Sequence, residues 1–138
     1  VPTLEMQTEA YWLTFDAEAK EGLEKRGLDL GAGLRGLASL LSNVVPLFVL
    51  CDPRDVRSVP MVKAPHDELP TIYLYDRYPG GIGLSRKIYD LDRAILGAAR
   101  EILAGCRCAS GCPSCVGPEV ELTSVGKQTA QVLLDAML

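Results

Sequence analysis

A chain of 138 residues, 48% apolar and 23% charged, can bury a core without disulfide staples and has neither disordered nor fibrous composition. Its formal charge of −4 excludes a strong unaided grip on a nucleic-acid backbone, but the acidity is local. Residues 1–29 carry seven acids against three bases, residues 30–138 eleven of each, so local basic patches remain possible beyond residue 29.

The longest apolar run, "NVVPLFVLC", contains Pro46 and is about half the roughly 20 residues a membrane span needs. The chain begins without the basic start and apolar stretch of a signal peptide and without an initiator methionine. It is therefore expected to be part of a longer protein, with partners on the same polypeptide.

In chain order, "AYWLTFDAE" (10–18) alternates Tyr11, Leu13 and Phe15 against Trp12 and Thr14, the period of a strand. "AKEGLEKRGLDLGAG" follows as a short helix and loop. From Leu34, apolar residues at 34, 37, 38, 40, 41, 44 and 45 predict a buried helix that stops before Pro46. "PLFVLCD" (46–52) is expected to be a core strand, and residues 53–70, with four of the nine prolines, a loop. "TIYLYD" (71–76) has the β-branched and aromatic content of a strand. "RYPGGIG" turns into a helix from about Leu84 to Ala104, and "ELTSVGKQTAQVLLDAML" supplies a terminal helix capped by Thr123 or Ser124. The pattern predicts one α/β domain over 1–138, a small mixed sheet covered by helices, with a cysteine loop between the last two.

That loop, "CRCASGCPSCVG" (106–117), holds four of the five cysteines as Cys106-x-Cys108-x3-Cys112-x2-Cys115. A C-x2-C turn curls around an ion and a C-x-C pair presents both thiols on one face of an extended segment, so the four can form the closed tetrahedral shell of structural zinc. A [4Fe–4S] cluster also takes four thiolates, though usually from C-x2-C-x2-C with a distant fourth. Disulfides fit poorly with an odd cysteine count and no sign of an oxidising compartment, and a cytoplasmic location is expected. A closed shell has no open position for catalysis.

"PLFVLCDPRDVRS", "TIYLYDRYPGGIGLSRKIYD" and "CRCASGCPSCVGP" with a closing helix resemble, over residues 33–138, the zinc-binding C-terminal domain of MrfA-type helicases, superfamily 2 DEAD/DEAH-box ATP-dependent DNA helicases. The resemblance implies that Cys106, Cys108, Cys112 and Cys115 hold zinc. It also implies an accessory domain beside two RecA-like motor lobes of the same polypeptide, helping to enclose single-stranded DNA in DNA repair. The motor itself is not in these residues. "SVGKQT" has Gln128 where a phosphate loop needs its hydroxyl and Glu121 where it needs its first glycine, and no DEAD or DEAH box occurs.

Other residues carry a functional and a plainer reading side by side. Around "YDRYPGGIG", free amides at Gly80 and Gly81 could take a phosphate, with Arg77, Arg86 and Lys87 adding charge; the plainer reading is a tight turn capped by Asp76. Arg54 and Arg57 could contact DNA, or pair locally with Asp52 and Asp55. Cys51 is expected to pack as a small hydrophobe, and His66, in a proline-rich loop, lacks partners for a metal or catalytic role. Trp12 and the scattered tyrosines could stack on bases, but Trp12 within a strand is expected to pack in the core or on a sheet face. Ser85 and Ser114 have no histidine partner for nucleophilic catalysis. Two further classes stay open: a zinc-stabilised protein-interaction module that does not touch nucleic acid, and a redox or iron–sulfur domain.

Overall fold

The computed structural model describes residues 10–49, 51–65, 68–76, 83–105 and 126–137. Strand β1 (Ala10–Thr14) is followed by helices α1 (Ala17–Lys25) and α2 (Leu30–Phe48), a 3-10 turn (Pro53–Asp55), β2 (Val56–Met61), β3 (Thr71–Asp76), α3 (Leu84–Gly105) and α4 (Gly126–Met137). The three strands form one sheet in the order β1-β3-β2. The expected small sheet covered by helices is present, but where a mixed sheet is expected both ladders are antiparallel.

β1 ends earlier than its alternation predicts. Phe15 N–H donates to the Pro70 carbonyl at 2.9 Å, and Asp16 then caps α1 by accepting from Ala19 N–H at 2.9 Å. The far end of α1 closes with two reverse bonds, Leu28 N–H to Leu23 O and Gly27 N–H to Glu24 O. Gly27 takes the left-handed φ of 69° that this closure requires. Asp29 starts α2 in the same way as Asp16, accepting from Ala32 N–H at 3.2 Å.

α2 is the core helix, with Leu34, Leu37, Leu40, Leu41 and Val45 fully buried. Length and composition alone would let it cross a membrane; here it is enclosed by the sheet, α3 and α4. It does not stop at Pro46. The proline's fixed φ suits a helix, and near the C-terminus its missing N–H costs a single bond. The turn therefore continues to Phe48, and Val49 N–H closes it on Val45 O at 2.9 Å. The strand expected over 46–52 is thus replaced at 46–48 by helix, with Leu47 and Phe48 exposed. The second correction falls on the loop expected over 53–70, where residues 56–61 form β2 despite Pro60. β2 is an edge strand, the place where a missing backbone donor is tolerated.

The faces of the sheet follow from its register. Tyr11 pairs with Leu74 and Leu13 with Ile72, and this face meets Leu41 of α2 and Ile88, Ile95 and Leu96 of α3. Trp12, Tyr73 and Val59 share the opposite face.

Candidate nucleic-acid interface and cysteine loop

α3 and α4 run antiparallel. Arg93 Nη1 donates to the Met137 carbonyl at 3.4 Å, and Arg100, further along α3, lies 3.9 Å from Asp135, earlier in α4. Gly105 and Gly126 therefore leave from the same end of the helix pair. The segment that joins them carries Cys106, Cys108, Cys112 and Cys115, and these lie outside the described residues. Their chemistry fits zinc, since four thiolates without another donor type make the closed shell of a structural site. Among the described residues no group of three His, Cys, Asp or Glu side chains could hold a metal. Cys51 packs against the core but is only partly buried, less enclosed than the buried small hydrophobe its sequence position predicts. Burial first, and then the nearby carboxylates of Asp55, Asp76 and Asp52, push its thiol pKa up, while Lys87 pulls it down.

Those neighbours locate the candidate DNA contacts. β2 begins where β3 ends, with Val56 opposite Asp76 and Arg57 opposite Tyr75, and α3 starts eight residues after Asp76. Arg54 and Arg57 are thereby brought to the same end of the sheet as Arg86 and Lys87, both exposed in the first turn of α3. Arg77, Gly80, Gly81 and His66 lie outside the described residues. Asp76 Oδ2 accepts from Leu84 N–H at 3.2 Å, the capping role of the plainer reading. Gly83 precedes the helix with φ 72°, a conformation that favours glycine.

Arg54 also follows its plainer reading. Its Nε and Nη2 donate to the two carboxylate oxygens of Asp52 at 3.1 and 2.8 Å. That bond is the main cause holding Asp52 at a pKa of about 2. Arg57, by contrast, stands exposed on β2.

Two features have no signal in the local sequence. An open groove of about 320 Å³ is lined by Ala10, Tyr11, Ser85, Arg86, Tyr89 and Asp90, with Tyr89 68% exposed. The i, i+3 spacing of Arg86 and Tyr89 puts a cation and an aromatic ring on neighbouring turns, but only the fold adds β1. Beneath it, Tyr11 donates its hydroxyl to Asp92 Oδ2 at 3.2 Å. Burial and, secondarily, the Asp92 charge raise the tyrosine pKa well above its ordinary value. Tyr11→Phe should cost about 1 kcal/mol in a urea titration, because Asp92 loses a donor. A folded-state pKa raised above 10 contributes stability below pH 10 that is lost above it. The wild type should therefore lose more stability than the variant on going above pH 10.

Comparison with known proteins bears on the whole chain. The family model of the MrfA Zn-binding domain matches residues 37–116. An uncharacterized ATP-dependent helicase, YprA of Bacillus subtilis, is 39% identical over 137 residues, 99% of this chain and 18% of the helicase. An uncharacterized protein of Methanocaldococcus jannaschii is 29% identical over 77 residues, covering 54% of this chain and 69% of its own length. Among solved structures, the DUF1998 helicase MrfA bound to DNA superposes with a TM-score of 0.75 at 36% identity, over 94% of this chain and 17% of that one. The same helicase bound to DNA and AMPPNP gives 0.69 at 38% identity, over 92% and 15%. The chain thus spans less than a fifth of the length of the helicases it matches.

Proposed function

This chain belongs to the MrfA Zn-binding domain family, a zinc-binding family, and on that premise we propose that it is the zinc-stapled accessory domain of an ATP-dependent DNA helicase. Cys106, Cys108, Cys112 and Cys115 hold the zinc, which fixes the paired ends of α3 and α4. RecA-like lobes elsewhere on the same polypeptide supply ATP hydrolysis. The domain helps those lobes hold single-stranded DNA during DNA repair, in the cytoplasm.

The observation that carries the DNA reading is the convergence of two basic segments, distant in sequence, at one end of the sheet. Arg57 arrives on β2 and Arg86 and Lys87 on α3, all three exposed, while Asp76 occupies the first helix amide and Arg54, also exposed, pairs with Asp52. With Asp52, Asp55 and Asp76 among them, only a few phosphates can be neutralised. Affinity of the domain alone is therefore weak and its salt slope shallow, on the order of −1 to −3. The test is the Arg86→Ala/Lys87→Ala double variant in the full helicase polypeptide. Single-strand affinity should fall to a similar degree for every sequence, because phosphate contacts carry no base information, and the salt slope should shrink by about 1.4. Normal binding and unwinding by the double variant would mean a solvated helix face. The protein-interaction reading, which the exposed Leu47 and Phe48 favour, would then take over.

A further inference from the structure

The sheet face turned away from α2 and α3 combines three aromatic rings with one charge. Trp12 of β1 lies opposite Tyr73 of β3, and Arg57 of β2 lies opposite Tyr75. The strand residues of this face include no carboxylate; Asp76 has the parity of the other face. Trp12 is 53% exposed. Its ring centroid is 6.2 Å from that of Tyr73 with the planes inclined at 52°, so the two rings do not consume each other's faces by stacking. Packing on the sheet face is one of the two placements its sequence position predicts, and it leaves the residue about half exposed.

We propose that the Trp12–Tyr73 face is a base-stacking platform for unpaired nucleotides. Every base has a π-face, so such a platform is sequence-tolerant, and a duplex, whose bases are already stacked, does not use it. Charge complementarity agrees, since Arg57 is the single charged strand residue on the face and is cationic. The platform also adjoins the basic end of the domain. Ala10, which pairs with Tyr75, lines the groove that holds Arg86 and Tyr89. A strand whose backbone passes Arg86 reaches the rings across β1. The inference rests on the single-strand reading above and adds the surface that meets the bases.

Trp12 is the sole tryptophan of the chain, so its emission reports this face alone. The zinc-loaded chain is titrated at low salt with oligothymidylate, following both the anisotropy of the labelled oligonucleotide and tryptophan emission. The expected result is quenching with the same midpoint as the anisotropy. Trp12→Ala should weaken binding by roughly five- to 150-fold, the range for losing one stacked base, with an unchanged thermal transition; Trp12→Phe, which keeps a ring, should weaken it less. Binding without quenching, and unaltered in Trp12→Ala, overturns the platform while the single-strand reading stands. Absence of binding by the wild type overturns both. In the full polypeptide without DNA, the emission difference between wild type and Trp12→Phe isolates Trp12. A buried, blue-shifted difference spectrum would overturn the platform in favour of a protein occupant.

Discussion

Cys112→Ser is expected to strip the domain of most of its zinc and to loosen α4 from the core. The cysteine segment connects α3 to α4 in sequence, and the Arg93 and Arg100 contacts that pair these helices are long and solvent-facing, 3.4 and 3.9 Å, of the kind that contributes little. The apolar face of α4, Ala130, Leu133 and Leu134, therefore holds the helix in place together with the zinc that we propose the cysteines bind. Zinc binding is coupled to folding and is worth on the order of 10 kcal/mol in small zinc domains, a scale comparable to the whole stability of a typical domain, roughly 5–15 kcal/mol. This chain has a core of its own around α2, so loss of several kcal/mol is expected, short of complete unfolding. Metal analysis and urea titration check the result. Acid should mimic the substitution, because protons compete with zinc for the thiolates. Iron in place of zinc, or full stability after chelation, would sink the assignment. Cys51→Ser should retain its zinc, since that thiol packs against the core and lies outside the four-cysteine spacing.

What the sequence discloses here depends on whether the deciding interaction is local. The four-cysteine spacing carries its chemistry within ten residues and needs no tertiary information. β3 is rich in β-branched and aromatic residues and sits at the sheet centre, where propensity and burial agree. The long helices are legible for the same reason; α3 runs to Gly105, one residue beyond expectation. The two corrections to element boundaries both involve prolines. Pro46 reads as a helix stop, yet two more residues of helix follow it because the buried residues before it keep the turn packed. Pro60 reads as a loop residue, yet an edge strand accepts it. Sheet order and strand direction have no local signal, and so neither does the meeting of Arg57 with Arg86 and Lys87. The Tyr11–Asp92 bond, between residues 81 apart, and the split of Trp12 from Tyr11 onto opposite faces follow from the alternation of β1 only once the helices are known to cover one side.

Gly33→Ala should destabilise the fold, against the usual sign of a glycine-to-alanine change in a helix. Alanine is favoured over glycine in a helix interior by about 1 kcal/mol, and Gly97 of α3 has nothing within 4 Å of an added Cβ, so Gly97→Ala should show that gain. At Gly33 the added carbon would stand 2.2 Å from Thr129 Cγ2, 2.8 Å from Thr129 Cβ and 3.3 Å from Leu133 Cδ1. Thr129 is fully buried, and its Cβ is fixed to the backbone of α4, so no rotamer change clears the contact. α2 and α4 must move apart, and overpacking of this kind costs about 1–3 kcal/mol, enough to outweigh the propensity gain. Thr129→Ser removes the nearer methyl while keeping the hydroxyl. Combined with Gly33→Ala it should restore part of the loss, a positive coupling in a double-mutant cycle measured by urea unfolding. Because α4 carries one end of the cysteine segment, displacing it should also make zinc easier to extract. Gly33→Ala is therefore expected to release zinc to a chelator faster than either wild type or Gly97→Ala. Equal rates in all three would separate the helix interface from the metal loop.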